Sequence, residues 1–266
     1  MSKLANKYVI LVVIIAAVIG LMLVKSPQSE PIPSLAKLTV GLQSGYPPFE
    51  FMNDKGHIVG FDVDLANLIA EKLHRSLVIE DMEFEAEIIS LKQGQIDLII
   101  SGMNITPSRL KEILMIPYHG EAESSLSLLF WNKVPDGVKS IEDLAKLPDH
   151  TISVATGTVA ENYMENYPNI PIRTFQGSLA TLMDIKYGKS AANLAETDVA
   201  EYLAQKHPEI KNVPIPVPEK FTILGFGIGI KKGNDALYAE VKQVIDELKN
   251  SGQLKALENK WFKETE

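Results

Sequence analysis

The feature that most constrains the fold is a regular alternation of short apolar runs with helical patterns of apolar residues. Helical spacing is clear where Phe61, Leu65, Leu68 and Leu73 share one face. Strands that alternate with helices favour an α/β fold with mainly parallel sheets. In open sheets of this kind, ligands bind beyond the carboxyl ends of the strands. The predicted strands are residues 38–41, 77–79, 96–100, 126–131, 151–155, 172–175, 191–195 and 227–230.

The N-terminal segment has the pattern of a targeting sequence. Residues 8–24 form a run of seventeen without a charge, with Lys3 and Lys7 before it and Lys25 after it. This length is at the lower limit for a membrane-spanning helix, and the leading lysines favour a cytoplasmic N-terminus. Because no small residues suited to cleavage end the run, we expect an uncleaved anchor in the inner membrane, with a cleaved signal peptide as the alternative. The body of the chain is then periplasmic or otherwise extracytoplasmic.

Composition excludes several classes of site and partner. The chain has no cysteine, so neither disulfides nor a lipidated N-terminal cysteine can stabilise or tether it. Its formal net charge of −8 argues against a nucleic-acid partner. The pair Asp62 and Asp64 is better explained by Asp62 capping a helix than by metal binding. The five histidines lack the spacing of metal ligands, and no metal or cofactor is predicted.

Residues 98–112 have the pattern of a carboxylate-binding turn. An apolar strand leads through a small polar loop into Thr106 and Pro107, which suit the cap and first position of a helix. The free amides at that helix start and the guanidinium of Arg109 would together hold an anion. The alternative is a capped surface helix whose Arg109 pairs with Glu112 or faces solvent.

Three further loops after predicted strands carry suggestive residues. Tyr46 and Phe49 lie in a proline-stiffened loop, and with Phe84 opposite they could stack on a ligand stem or cation; the alternative is that all three are core aromatics. The loop at 156–161 offers amides to an anion. Of Glu196 and Asp198, one is expected to cap a helix and the other to face an ammonium group, the alternative being capping or solvent exposure for both.

Four motifs in order give the chain a family resemblance. Over about residues 37–262 it resembles the polar amino-acid-binding proteins of bacterial ABC importers, and residues 101–118 look most like the arginine-binding members. The motifs are Gly-x4-Tyr-x-Pro-Phe at 41–49, Gly-Phe-Asp-Val-Asp-Leu at 60–65, Ile-Asp-x3-Ser-Gly-Met-x-Ile-Thr-x2-Arg at 96–109, and Gly-Ile-Gly-Ile-Lys-Lys at 227–232.

The resemblance implies a two-lobe, type II periplasmic-binding-protein-like fold. Each lobe is a mainly parallel sheet flanked by helices, and two hinge strands join the lobes. The implied organisation is an anchor or signal segment with a linker at 1–36, a first lobe made of 37–121 and 223–266, and a second lobe at 122–222. The ligand would lie between the lobes, and the hinge would close on it.

The resemblance also assigns roles to individual residues. Arg109 would bind the ligand α-carboxylate, and Glu196 the α-ammonium with help from Gly102 and Asn104. Tyr46 and Phe84 would enclose the ligand side chain. Two departures leave the choice of side chain open, because Gln43 replaces a frequent aspartate and Val159 a frequent threonine. The predicted ligand-binding residues are Gln43, Tyr46, Glu50, Phe84, Ser101, Gly102, Met103, Asn104, Thr106, Arg109, Thr156, Thr158, Val159 and Glu196.

The expected function is therefore capture without chemistry. An arginine head could stack on the two aromatics and bond to Gln43, Glu50 or Glu123, whereas glutamine or lysine are the alternative ligands. The implied partners are an amino acid, an ABC permease and, through the N-terminal helix, the membrane; the protein is expected to be a monomer. Two other functions are kept open: a cyclohexadienyl dehydratase-like enzyme with the same fold, and a membrane-tethered amino-acid sensor.

Overall fold

The computed structural model describes residues 35–262, which form two five-stranded sheets and a short β-ribbon. This confirms the predicted α/β class. No helix within these residues is both long enough and apolar enough to cross a membrane, and the predicted anchor at 8–24 lies outside them. The strands are β1 Lys37–Leu42, β2 Phe51–Met52, β3 Ile58–Val59, β4 Ser76–Asp81, β5 Leu98–Ile99, β6 Leu114–Glu123, β7 Ser125–Trp131, β8 Ile152–Ala155, β9 Ile172–Phe175, β10 Ala192–Glu196, β11 Ile210–Pro216 and β12 Ile223–Ile230.

Helices connect most of the strands, as the alternating pattern predicts. A 3-10 turn, Glu219–Phe221, precedes β12. The α-helices of the described residues are α1 Phe61–Lys72, α2 Phe84–Gln93, α3 Pro107–Glu112, α4 Ile141–Leu144, α5 Val159–Met164, α6 Ser178–Lys186, α7 Thr197–Lys206, α8 Asp235–Asn250 and α9 Gln253–Phe262.

Each sheet combines parallel and antiparallel pairs. The first sheet has the order β4-β1-β5-β12-β6, in which β1 is parallel to β4 and β5, and β12 is antiparallel to both neighbours. The second has the order β11-β7-β10-β8-β9, in which β8 is parallel to β9 and β10. The chain passes from the first sheet to the second at Ser124 and returns through residues 217–222.

Apolar side chains cover both faces of the central strands. In β7, Leu126, Leu128 and Phe130 pack into one core cluster and Leu129 packs into another, as the two-residue repeat of a strand requires. On the first sheet, Phe61 and Leu65 of α1 pack into the cluster that contains β1. These cores fix the carboxyl ends of β1, β5 and β8, from which the loops of the site extend.

Two edge strands, β6 and β11, are absent from the sequence prediction. Both contain proline, at Pro117 in β6 and at Pro214 and Pro216 in β11. Proline cannot donate to a ladder, so it is tolerated mainly at sheet edges, and both strands lie at an edge of their sheet.

Candidate functional site

A narrow cavity lies where loops from both sheets meet, and its open space of about 10 Å³ has room for about one water molecule. Small-molecule sites usually measure roughly 300–1,000 Å³, so a ligand of amino-acid size requires these loops to move apart. Eight of its nine lining residues belong to the predicted set, and the ninth is Ala155 at the end of β8. The lining residues are Gln43, Tyr46, Glu50, Phe84, Ser101, Gly102, Asn104, Ala155 and Thr158.

Two aromatic side chains, Tyr46 and Phe84, contribute to the cavity wall as predicted. Phe49 does not line it, because its ring packs against Phe226 in the core at a centroid distance of 4.5 Å. Gly102 lets Tyr46 take its position: a Cβ on this glycine would lie 2.8 Å from the Tyr46 ring. Its φ of +49° is also in the left-handed region that favours glycine.

The turn at Thr106 forms as the sequence predicts. Thr106 Oγ1 accepts a hydrogen bond from the Arg109 amide at 3.3 Å, and α3 begins at Pro107. The suggested pairing of Arg109 with Glu112 is wrong, since Glu112 pairs with Lys92. The predicted anion-binding elements are therefore assembled in the expected local form.

The Arg109 guanidinium connects the loops of the two sheets beside the cavity. Its Nη1 donates to the Asn104 carbonyl at 2.8 Å, and its Nη2 donates to the Gly157 carbonyl at 3.0 Å. It also lies over the Phe84 ring, 5.1 Å from the centroid. Arg109, Thr106 and Val159 line an adjoining groove instead of the cavity itself. A ligand carboxylate would have to compete with backbone carbonyls for these donors.

Glu196 and Tyr46 form a second connection between the two sheets. The Tyr46 hydroxyl donates to Glu196 Oε2 at 2.8 Å, and both side chains are buried. Burial and the Glu196 charge raise the pKa of Tyr46 well above its usual value, so the hydroxyl stays protonated. Glu196 occupies the position just before α7, but its side chain makes no capping hydrogen bond to that helix. Asp198 instead faces His119 at 3.9 Å, which separates the predicted acidic pair.

Buried polar atoms near the cavity have no partner within residues 35–262. They include Glu196 Oε1 and Asn104 Nδ2, which belong to the residues that the resemblance assigns to the ligand ammonium. A carboxylate oxygen accepts a hydrogen bond from an ammonium group, whereas an amide nitrogen can only donate. Burying such groups unpaired costs about 1–3 kcal/mol each. The arrangement is therefore suited to a polar ligand that supplies both donors and acceptors.

An acidic cluster made of Glu50, Asp62 and Glu87, all almost fully buried, lies beside the cavity, and Glu50 is its one member that lines the cavity. Ser101 Oγ lies 2.7 Å from Glu87 Oε1 and 3.5 Å from Glu50 Oε1. Because a hydroxyl has one hydrogen to donate, the nearer Glu87 takes it. Glu50 Oε2, Asp62 Oδ1 and Glu87 Oε2 have no donor within residues 35–262.

The expectation that Asp62 caps a helix is wrong. Gly60 is the cap residue of α1 and no side chain caps it. Asp62 Oδ2 instead accepts hydrogen bonds from the Gly102 amide at 2.6 Å and the Tyr118 hydroxyl at 2.8 Å. Both partners are distant in sequence, so the local pattern around Asp62 does not reveal them.

Glu87 is a member of the cluster that the sequence reasoning missed. A signal was present: in α2 it stands on the buried face with Phe84 and Leu91, so it places a charge in an apolar stripe. Acidic side chains are rarely buried without a partner or a function. Burial raises the pKa of Glu87 well above its usual value, against the opposing influence of Ser101 and the Arg109 charge.

The other two acids have raised pKa values for the same reason. Burial is the largest cause for Glu50, followed by the nearby charges of Asp62 and Glu87. The pKa of Asp62 is raised to about 6 by burial, although the Gly102 amide and the Tyr118 hydroxyl lower it. Burial thus shifts the pKa values of all three acids upward, toward their protonated forms.

The remaining predicted residues are distributed between the cavity and its support. Gln43 lines the cavity, and its amide donates to the Gln176 side chain. Met103 is fully buried in the core and does not line it. The Thr158 hydroxyl donates to the Ala155 carbonyl at 2.7 Å and caps α5. Thr156 donates to the Phe175 carbonyl at 3.2 Å, outside the cavity.

The fold and the cavity between the loops of its two sheets define the class of the protein. It is a two-sheet α/β binding protein of the type II periplasmic-binding-protein fold. Residues 38–264 match the family model of bacterial extracellular solute-binding proteins, family 3. The chain belongs to this family, which confirms the resemblance read from the four motifs. It also makes the chain an extracytoplasmic solute-binding protein.

Individual relatives are similar over nearly the same span. A probable ABC transporter arginine-binding protein, ArtJ, from Chlamydia trachomatis is 40% identical over 227 residues, or 85% of each chain. The P235GK mutant of ArgBP from T. maritima is 33% identical with a TM-score of 0.77, covering 86% of this chain and 96% of that one. An ancestral arginine-binding protein bound to glutamine is 30% identical with a TM-score of 0.74, covering 86% and 99%.

Proposed function

We propose that this chain binds a cationic L-amino acid, arginine first, in the cavity between the loops of the two sheets and delivers it to an ABC permease. The observation that carries the proposal is the combination of two aromatic walls with a buried acid that lacks a donor. Tyr46 and Phe84 line the same cavity as Glu50, whose Oε2 has no partner within residues 35–262. A guanidinium is planar, stacks on aromatic rings and donates to carboxylates, so it suits both features.

The backbone of the ligand would bind to the residues that connect the two sheets. The Arg109 guanidinium would donate to the α-carboxylate, replacing one of its bonds to a backbone carbonyl. The α-ammonium would donate to Glu196 Oε1 and to the Gly102 carbonyl. Asn104 would complete this end through its side chain, which borders the cavity. The names of two of the relatives above, both arginine-binding, support arginine as the first ligand to test.

Closure around the ligand follows from the division of the chain between two sheets. We propose lobes at 37–121 with 223–266 and at 122–222, hinged where the chain crosses at Ser124 and 217–222. Tyr46 with Glu196, and Arg109 with Gly157, join the two sides by hydrogen bonds. A ligand that touches both sides would favour the closed form by its differential affinity.

We further propose that residues 1–36 tether the protein to the inner membrane and that the protein acts as a monomer. The support is the uncharged run at 8–24 with its leading lysines. Mass measurement of the protein recovered from membranes tests the tether, because loss of the first residues would contradict it. Sedimentation of the same material tests whether the protein is a monomer.

Calorimetry with the twenty amino acids tests the main proposal. We expect arginine to bind most tightly, and Arg109→Ala to weaken it by at least about 2 kcal/mol, or roughly 30-fold, because the carboxylate loses a charged donor. The control is Arg75→Ala, which removes only a surface ion pair with Glu240 and should leave affinity unchanged. Absence of binding to any amino acid would contradict the proposal.

The alternative enzymatic function has its own test. Binding without chemistry predicts that prephenate and arogenate are recovered unchanged after incubation with the protein. Turnover of either compound that Glu196→Gln abolishes would instead assign a dehydratase activity, with Glu196 as its general acid.

A further inference from the structure

Glu87 has no role in the binding scheme, yet it lies directly behind the cavity wall. Its side chain is fully buried, and the Ser101 hydroxyl that borders the cavity donates to Glu87 Oε1 at 2.7 Å. The same hydroxyl lies 3.5 Å from Glu50 Oε1, so Ser101 stands between the two acids. Glu50 itself lines the cavity and is 1% exposed, with Oε2 unpartnered within residues 35–262.

Three negative charges cannot all be held in this arrangement. Glu50 is surrounded by two other acids, Asp62 and Glu87, and receives only the long contact from Ser101. Carboxylates that share a dry site titrate as a group, and at least one keeps its proton.

We propose that Glu87 is a selectivity residue: with Glu50 and Asp62 it holds a proton that is released when a cationic ligand enters, so preference for cations over neutral ligands rises with pH. This inference rests on the proposed function, because it assumes that a guanidinium or ammonium head reaches Glu50. The O–H bond of one carboxyl breaks, its electron pair stays on the carboxylate, and the proton passes to the buffer. The ligand head supplies the positive charge that the proton had supplied.

The other titratable groups near the cavity keep their protonation state, so the three acids are the groups whose protonation changes with pH. Arg109 lies near Glu87 and Glu196, and it stays protonated because its guanidinium titrates far above neutrality. Tyr46 and Tyr118 stay neutral, since burial and nearby acids raise their pKa values. Asp81 adds a further negative charge on the side of Glu87.

The direction of the pH effect follows from linkage. Binding that releases one proton strengthens about tenfold for each pH unit, whereas binding that releases none is independent of pH. Free arginine and glutamine carry the same α-amino and α-carboxyl groups, and the arginine guanidinium stays charged throughout, since it titrates far above neutral pH. The two ligands share the same backbone groups, so the ratio of their affinities reports the head group alone. Titration of Asp198, which lies away from the cavity lining, cancels in this ratio.

Calorimetry of the full chain in two buffers with different ionisation enthalpies tests the proposal and needs no variant. We expect arginine to release a substantial fraction of a proton near neutral pH, glutamine to release none, and the arginine-to-glutamine ratio to rise several-fold per pH unit. Arginine binding without proton release and with a constant ratio would overturn the inference while leaving the proposed function intact. Absence of binding to both ligands would instead contradict the proposed function.

A pair of variants tests whether Glu87 is the source of the proton released on arginine binding. Glu87→Gln keeps an acceptor for Ser101 but removes a titrating group, so we expect fewer protons released and a flatter arginine-to-glutamine ratio. Glu83→Gln is the matched control, because Glu83 is exposed just before the same helix and should behave as the parent chain. Thermal unfolding verifies that each variant is folded. An unchanged proton count in folded Glu87→Gln would contradict the assignment to Glu87.

Discussion

Replacing Gly102 by alanine should damage the cavity wall through one well-defined contact. The new Cβ would lie 2.8 Å and 2.9 Å from two carbons of the Tyr46 ring. That ring cannot easily move away, because its hydroxyl is bonded to Glu196 and its surface is only 7% exposed. The substitution must therefore shift either the ring or the loop that carries residue 102.

The expected loss of unfolding free energy has two parts, which a control variant can separate. A left-handed backbone costs a non-glycine residue about 1–2 kcal/mol, and overpacking costs about 1–3 kcal/mol more. Gly102→Ala should therefore lose about 2–5 kcal/mol of unfolding free energy. Gly56 has a similar positive φ of 75°, but its added Cβ would meet nothing within 4 Å. Gly56→Ala should thus lose only the backbone part, about 1–2 kcal/mol.

Thermal unfolding and arginine titration measure the two parts. Each kcal/mol corresponds to a melting shift of about 2–4 °C in a protein of this size, so the two variants should separate by several degrees. Arginine affinity should fall at least about tenfold in Gly102→Ala, since Tyr46 is a wall of the site, and stay unchanged in Gly56→Ala. Equal melting shifts with unchanged affinity in both variants would refute the close packing of Gly102 against Tyr46.

Two further predictions concern hydrogen-bonded groups. Tyr46→Phe should cost about 1–3 kcal/mol in urea unfolding, because it leaves the buried Glu196 carboxylate without its donor; unchanged stability would refute that bond. The pKa of Asp62 is raised from 3.8 to about 6, so its protonated form favours folding and its contribution is lost as pH rises through about 6. That contribution is at most about 3 kcal/mol, and Asp62→Asn should flatten the fall in stability between about pH 4 and 6.5 in denaturant titrations, whereas an unchanged slope would contradict the shift.

The site could be predicted largely because its residues follow strands. Tyr46, Ser101 and Thr158 all come from loops after strands whose apolar pattern is plain in the sequence, and the carboxyl ends of those strands meet at one place. The cap at Thr106 was predictable because helix capping is a local interaction between residues three apart. Local chemistry and strand order thus suffice to assemble most of the cavity lining.

The acidic cluster could not be predicted in the same way. Asp62 bonds to partners that are 40 and 56 residues away in the chain, and near a helix start its carboxylate has a simpler local explanation. Glu87 acquires its environment from Ser101, which lies 14 residues further on, on a different element. The edge strands β6 and β11 were missed for a related reason, because their prolines are acceptable only once the position in the sheet is known.

Burial of these acids links the stability of the empty cavity to capture of the ligand. In the absence of a cation, Glu50 and Glu87 lie in a low-dielectric site that disfavours their charge, and a retained proton is the simplest relief. A cationic head beside Glu50 would relieve the same penalty directly, whereas a neutral head would not. The free energy gained on binding a cation therefore includes relief of the repulsion among the buried carboxylates. This favours a positively charged ligand even though position 43 is a glutamine and not an acid. Selectivity would then reside in how unfavourable the empty site is for carboxylates as much as in new contacts, which is a general route to discrimination between similar ligands.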